Sequence, residues 1–106
     1  MLPSLETPGA LLDARGLSKL KWRCRRGLLE NDLLIEKFFA RHEAGLTSAQ
    51  AKGVNDLMDL SDNDLLDLLL RRKEPDQLSD VSARESASTA EALVVLSLLR
   101  PGASAL

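Results

Sequence analysis

The sequence predicts an all-α fold, a small bundle of about five short helices. Three observations point there. Leucine supplies most of the apolar side chains, Tyr is absent, Trp22 is the only tryptophan, and Phe38 and Phe39 are the only phenylalanines, so strand-favouring residues are scarce. The apolar positions recur three and four apart, the spacing of one helix face. Capping residues and Gly or Pro stops bracket each periodic stretch. A chain of 106 residues with 44% hydrophobic and 28% charged side chains fits one soluble globular domain with a modest core.

Taken in order, residues 1–16 carry Pro3, Pro8 and Gly9 and are expected to form a poorly ordered tail. A helical domain should occupy 17–100, with 101–106 trailing from it. Ser18 reads as the cap of a first helix that runs to Arg26 and stops at Gly27. A second helix is expected from Leu28 to Ala44. Its inward face is Leu28, Ile35, Phe39 and His42, widened by Leu34 and Phe38, and Gly45 ends it. Thr47 and Gln50 form a capping-box pattern for a third helix, which faces inward through Val54, Leu57 and Met58 and has Gly53 as a weak point.

Ser61 and Asp64 cap a fourth helix in the same way. It carries leucines at 65, 66, 68, 69 and 70 before the basic end Arg71, Arg72 and Lys73, and Pro75 confirms the stop. Residues 75–87 are polar and serine-rich, so an extended loop is expected. Ser88 and Glu91 suggest the cap of a last helix through Leu93, Val94, Leu96 and Leu99. Its near-continuous apolar run predicts thorough burial.

Composition narrows the function. The net charge is −2, which gives no global electrostatic case for nucleic-acid binding. The lone Cys24 excludes an intramolecular disulfide and suits a reducing compartment. No secretory or transit pattern opens the chain, and its longest apolar run falls far short of the roughly 20 residues that span a bilayer. A cytoplasmic protein with no membrane segment is the expectation.

Catalytic signals are weak. The single histidine, His42, has no nucleophile or orienting group nearby in sequence and reads as structural or solvated. No metal-ligand spacing and no phosphate-binding glycine loop occurs, so no metal or catalytic residue is assigned. Cys24 among Arg23, Arg25 and Arg26 would be activated if those cations surrounded it, but the simpler reading is a small apolar residue facing the core beside Trp22.

The segment Arg23–Asp32, RCRRGLLEND, is the most informative. It is basic up to Gly27, then apolar, then acidic. A glycine at a helix junction serves where φ is positive or where another backbone comes close. A helix stop followed by an acid at the next N-terminus accounts for Gly27 and Glu30. It does not account for so many cations on one corner.

The stretch Lys21–Phe39, KWRCRRGLLENDLLIEKFF, resembles the signature region of the succinate dehydrogenase FAD assembly factor family. The hallmark R-G-x-x-E is matched by Arg26, Gly27 and Glu30, with an aromatic and basic residues before it and paired phenylalanines after it. The resemblance covers roughly residues 17–76. It departs from the family in lacking a fourth-helix tryptophan near Leu68, in a long serine-rich segment, and in an extended N-terminus.

The resemblance implies a non-enzymatic helper found in bacterial cytoplasm. Such a helper binds the flavoprotein subunit of succinate dehydrogenase, and of fumarate reductase where present, and promotes covalent FAD attachment within that client. It implies no stably bound cofactor, because FAD is handled by the client. It also implies partner contacts through Arg26, Gly27 and Glu30, extended by Arg25 and Trp22. A monomer is expected, since the helices can bury their leucines against one another. The alternative is a small regulatory protein, nucleic-acid-binding or antitoxin-like, that uses the basic 19–26 segment. Steeply salt-dependent DNA binding would mark it.

Overall fold

A computed structural model describes residues 10–25 and 27–100. Among them are six helices: α1 Ala14–Cys24, α2 Leu29–His42, α3 Ser48–Met58, α4 Asp62–Leu69, α5 Val81–Ala87 and α6 Ala90–Leu99. Short 3-10 turns at Glu43–Gly45 and Pro75–Gln77 complete the described elements. The all-α bundle is as predicted, with one more helix than expected.

The centre of the bundle is the pair α3 and α6, which share the most extensive contact. Gly53 makes this possible. A Cβ placed there would lie 2.3 Å from the backbone oxygen of Glu91 and 2.7 Å from Val95 Cγ2. The expected weak point of α3 is therefore the residue that lets α6 approach. Leu57, Leu65, Leu68, Leu69, Ala87, Ala92 and Val95 are wholly buried. Phe38 and Phe39 enter the same core from α2, their rings edge to face at 5.4 Å.

The capping readings hold where the polar group is local. Thr47 and Gln50 form the reciprocal box at the start of α3, and the Ser61 hydroxyl accepts from Asp64 N–H at 3.1 Å. Val54, Leu57 and Met58 face inward as expected.

Other boundaries move. The first helix starts at Ala14, because the Asp13 carboxylate accepts from Gly16 N–H at 2.7 Å, and it ends at Cys24. The segment before it is also placed from residue 10 on. Leu12 N–H donates to Leu46 O and Ser48 N–H to Ala10 O, each at 2.8 Å, strapping it to the α2–α3 link. Of the tail expected over 1–16, residues 1–9 lie outside the described residues, as does the tail expected over 101–106.

In α2 the inward set is Asn31, Ile35, Phe38 and Phe39, with Leu28, Leu34 and His42 half-buried. The helix stops at His42 rather than at residue 44. The fourth helix ends at Leu69, leaving Leu70 exposed. Arg72 N–H reaches back to Asp67 O at 2.8 Å and Arg71 N–H to Leu68 O at 3.2 Å, with Arg71 at φ 62°. That is a Schellman ending with arginine where glycine is usual.

The expected loop 75–87 contains α5. Asp80 caps it by accepting from Ala83 N–H, and Ala83 and Ala87, four residues apart, face the core. A helix that buries only two alanines leaves a serine-rich exterior, which is why its sequence reads as a loop. The last helix is capped by Thr89, one residue beyond the expected Ser88. It buries Ala92, Val95, Leu96 and Leu99 but exposes Leu93 and Val94, so its apolar run does not mean all-round burial.

Candidate functional site

The corner between α1 and α2 gathers most of the predicted site residues. The first helix ends because Arg25 is extended, with φ −81° and ψ 102°. Gly27 follows at φ +90°, in the left-handed region that side-chain-bearing residues avoid, and nothing lies within 4 Å of a Cβ built on it. Glycine is thus required here by backbone shape, and the space above it is open to another molecule. Arg26 lies outside the described residues. Leu28 precedes the first turn of α2, which carries Glu30 and Asp32 where the helix dipole favours acids.

The side chains divide between two jobs. Lys21 bonds Glu43 at 2.8 Å and sits over the Phe39 ring at 5.7 Å, holding the end of α2 against α1. Arg23 reaches α3, with Nη1 donating to Asn55 Oδ1 and Nη2 to Asp59 Oδ1, both at 2.6 Å. These two cations hold helices together. Two members of the basic cluster, Lys21 and Arg23, are thereby explained without a ligand.

Trp22 and Arg25 face outward. Trp22 is 71% exposed, and the Arg25 guanidinium stands 5.6 Å from its ring centroid. Stacking an arginine on an exposed indole presents a flat, cationic platform. Cys24 turns into the core as expected, but Trp22 does not accompany it.

An open groove of about 700 Å³ runs from this corner along α2, lined by Lys21, Cys24, Arg25, Gly27, Asp32 and Glu36 among others. Arg25 and Gly27 are thus brought together on one surface. Glu30 does not line the groove; helical spacing carries it to another side of α2 from Asp32 and Glu36. The structure joins Trp22, Arg25 and Gly27 and sets Glu30 beside them as a second, exposed element.

Two exposed leucines on α2, Leu29 and Leu33, escaped the sequence reading. The signal was present, since both fall off the face defined by Leu28, Ile35 and Phe39. His42 packs against Phe38, with ring centroids 5.1 Å apart, in a half-buried structural role. No group of three or more metal-capable side chains occurs among the described residues. Remote from the corner, hydrogen bonding to Asp56, with help from Glu91, holds Lys52 above the usual lysine value. No helix among the described residues is long and apolar enough to cross a membrane.

Comparison with known proteins places this corner in a context. A family model described as flavinator of succinate dehydrogenase matches residues 18–86. The chain belongs to this family. A relative from Ralstonia nicotianae, named FAD assembly factor SdhE, is 46% identical over 88 residues, covering 83% of this chain and 84% of that protein. Proteins of the same name from Legionella pneumophila strain Paris and Coxiella burnetii are 41% and 40% identical over 66 and 58 residues. Those matches cover 62% and 55% of this chain and 84% and 71% of the relatives. No solved structure matches the chain. The flavinator family consists of assembly factors rather than catalysts.

Proposed function

We propose that this flavinator-family chain docks on the flavoprotein subunit of succinate dehydrogenase, and on that of fumarate reductase where present, and promotes covalent attachment of FAD within that client. The observation that carries the reading is Gly27, held at φ +90° on an exposed corner with open space above it. A client backbone can approach there as it could at no side-chain-bearing residue. Arg25 stacked on Trp22, together with Arg26 and Glu30, supplies directional polar contacts around that approach.

The factor needs no resident cofactor in this scheme. It acts as a monomer in the cytoplasm, by favouring the client conformation in which flavin attachment proceeds. The family membership, the SdhE relatives and the exposed corner support this reading. Nucleic-acid binding through 19–26 is disfavoured, because Lys21 and Arg23 are committed to Glu43, Asn55 and Asp59.

Coexpression with the flavoprotein subunit, followed by in-gel flavin fluorescence, tests it. Covalent flavin should fall sharply when this chain is deleted or carries Gly27→Arg. Undiminished fluorescence in both cases would refute the proposal.

A further inference from the structure

We propose that the outer face of α2 beside Gly27 is a docking strip, Leu29 and Leu33 between Glu30 and Glu36, and that it receives an apolar segment of the client with Lys or Arg on both sides. This inference rests on the assembly-factor reading and adds to it the surface and the chemistry of the contact.

The first argument is exposure without structural need. Leu29 is 67% and Leu33 49% exposed, and they stand one helical turn apart, so they form one continuous apolar surface. The helix already has its own inward face in Ile35, Phe38 and Phe39. The two leucines contribute little to the bundle, and their area becomes useful only when a second molecule covers it.

The second argument is charge. Glu30 and Glu36 border the pair, both exposed, and among the described residues neither holds an ion pair. From Leu29 to Glu36 there is no basic residue; the next is Lys37. Of the cations on α1, Lys21 and Arg23 are held by Glu43, Asn55 and Asp59. An apolar strip with unanswered carboxylates along its rims selects a partner segment with apolar residues at its centre and cations at its edges. The same carboxylates repel phosphates, which disfavours a lipid surface or a nucleic acid as occupant.

The third argument is continuity. Glu36, which borders the strip, also lines the groove that reaches Gly27, so the strip adjoins the groove along that edge. The other exposed apolar pair, Leu93 and Val94, lies on α6, outside that groove, and provides an internal comparison.

The experiment titrates purified flavoprotein subunit with the wild-type chain, Leu29→Ser/Leu33→Ser, Leu93→Ser/Val94→Ser and Gly27→Arg. Far-UV circular dichroism and the mass in solution of each free chain accompany the titration. The strip variant should fold normally and bind about tenfold or more weakly, while the α6 variant keeps wild-type affinity. A second variant, Glu36→Lys, should weaken binding about threefold to tenfold at low salt and converge with wild type at high salt, because exposed charges are screened. Wild-type affinity in both the strip variant and Glu36→Lys, with Gly27→Arg still defective, would overturn the strip and leave the assembly-factor reading standing. A wild-type chain that does not bind the subunit would overturn both. If the leucine substitutions instead convert a free dimer to monomer and leave client affinity intact, the strip belongs to self-association and the inference fails.

Discussion

Replacing Gly53 by alanine sets two physical effects against each other. In the middle of a helix alanine ordinarily stabilises by about 1 kcal/mol relative to glycine. At this position the added Cβ would sit 2.3 Å from the carbonyl oxygen of Glu91, 2.7 Å from its carbon and 2.7 Å from Val95 Cγ2. Two of those three atoms are α6 backbone, so no rotamer change makes room, and the helices themselves must part. Overpacking of this kind costs about 1–3 kcal/mol, at the upper end when backbone has to move. After the propensity gain, a net loss of about 1–2 kcal/mol remains. For a domain of this size that lowers Tm by about 5–15 °C. Urea and thermal unfolding followed by far-UV circular dichroism measure it directly. A Gly53→Ala chain as stable as wild type, or more so, would refute the close α3–α6 approach.

Three further substitutions probe particular contacts. Arg71→Gly should raise stability by about 0.5–1 kcal/mol, since Arg71 occupies the left-handed position of a Schellman ending at φ 62°; urea midpoints with an unchanged slope would verify it. Asn31 is fully buried, donates to Asp62 O at 3.2 Å, and has no partner for its Oδ1. Asn31→Leu should therefore change stability by less than about 1 kcal/mol. Asn31→Asp should cost more than about 2 kcal/mol at neutral pH and recover as acid protonates the new carboxyl, which thermal melts across pH would show. Arg100 donates from Nε to Leu68 O at 2.8 Å and from Nη2 to Lys73 O at 3.2 Å, and pairs with Glu74. Arg100→Ala should cost about 2–3 kcal/mol by stranding carbonyls at the end of α4, measurable by chemical denaturation.

The elements that were legible in the sequence are those whose signals are local. The Thr47–Gln50 box and the Ser61 cap satisfy helix N–H groups with side chains three residues away, so their geometry is written in adjacent letters. The inward face of α3 follows from the helical period alone, whereas in α2 the period marks Ile35, Phe38 and Phe39 but misses the buried Asn31. The failures have separate physical causes. Helix α5 reads as a loop because it needs only Ala83 and Ala87 to face the core, and alanine carries little pattern. Leu93 and Val94 read as buried because period cannot tell which side of an apolar helix lacks a neighbour. Helix α1 starts before the expected cap Ser18, because Asp13 accepts from Gly16 N–H and caps an earlier first turn.

The corner divides in the same way. Composition and order alone determined an all-α chain with an abrupt charge reversal around Gly27, because backbone freedom and formal charge belong to residue types. Only the tertiary structure decided which cations are available. Arg23 and Lys21 find partners on α3 and at the end of α2, contacts spanning twenty residues and more in sequence, while Arg25 is left outside on Trp22. It also decided that Leu29 and Leu33 stay exposed. Exposure is a property of what other helices fail to cover, and no stretch of sequence carries that by itself.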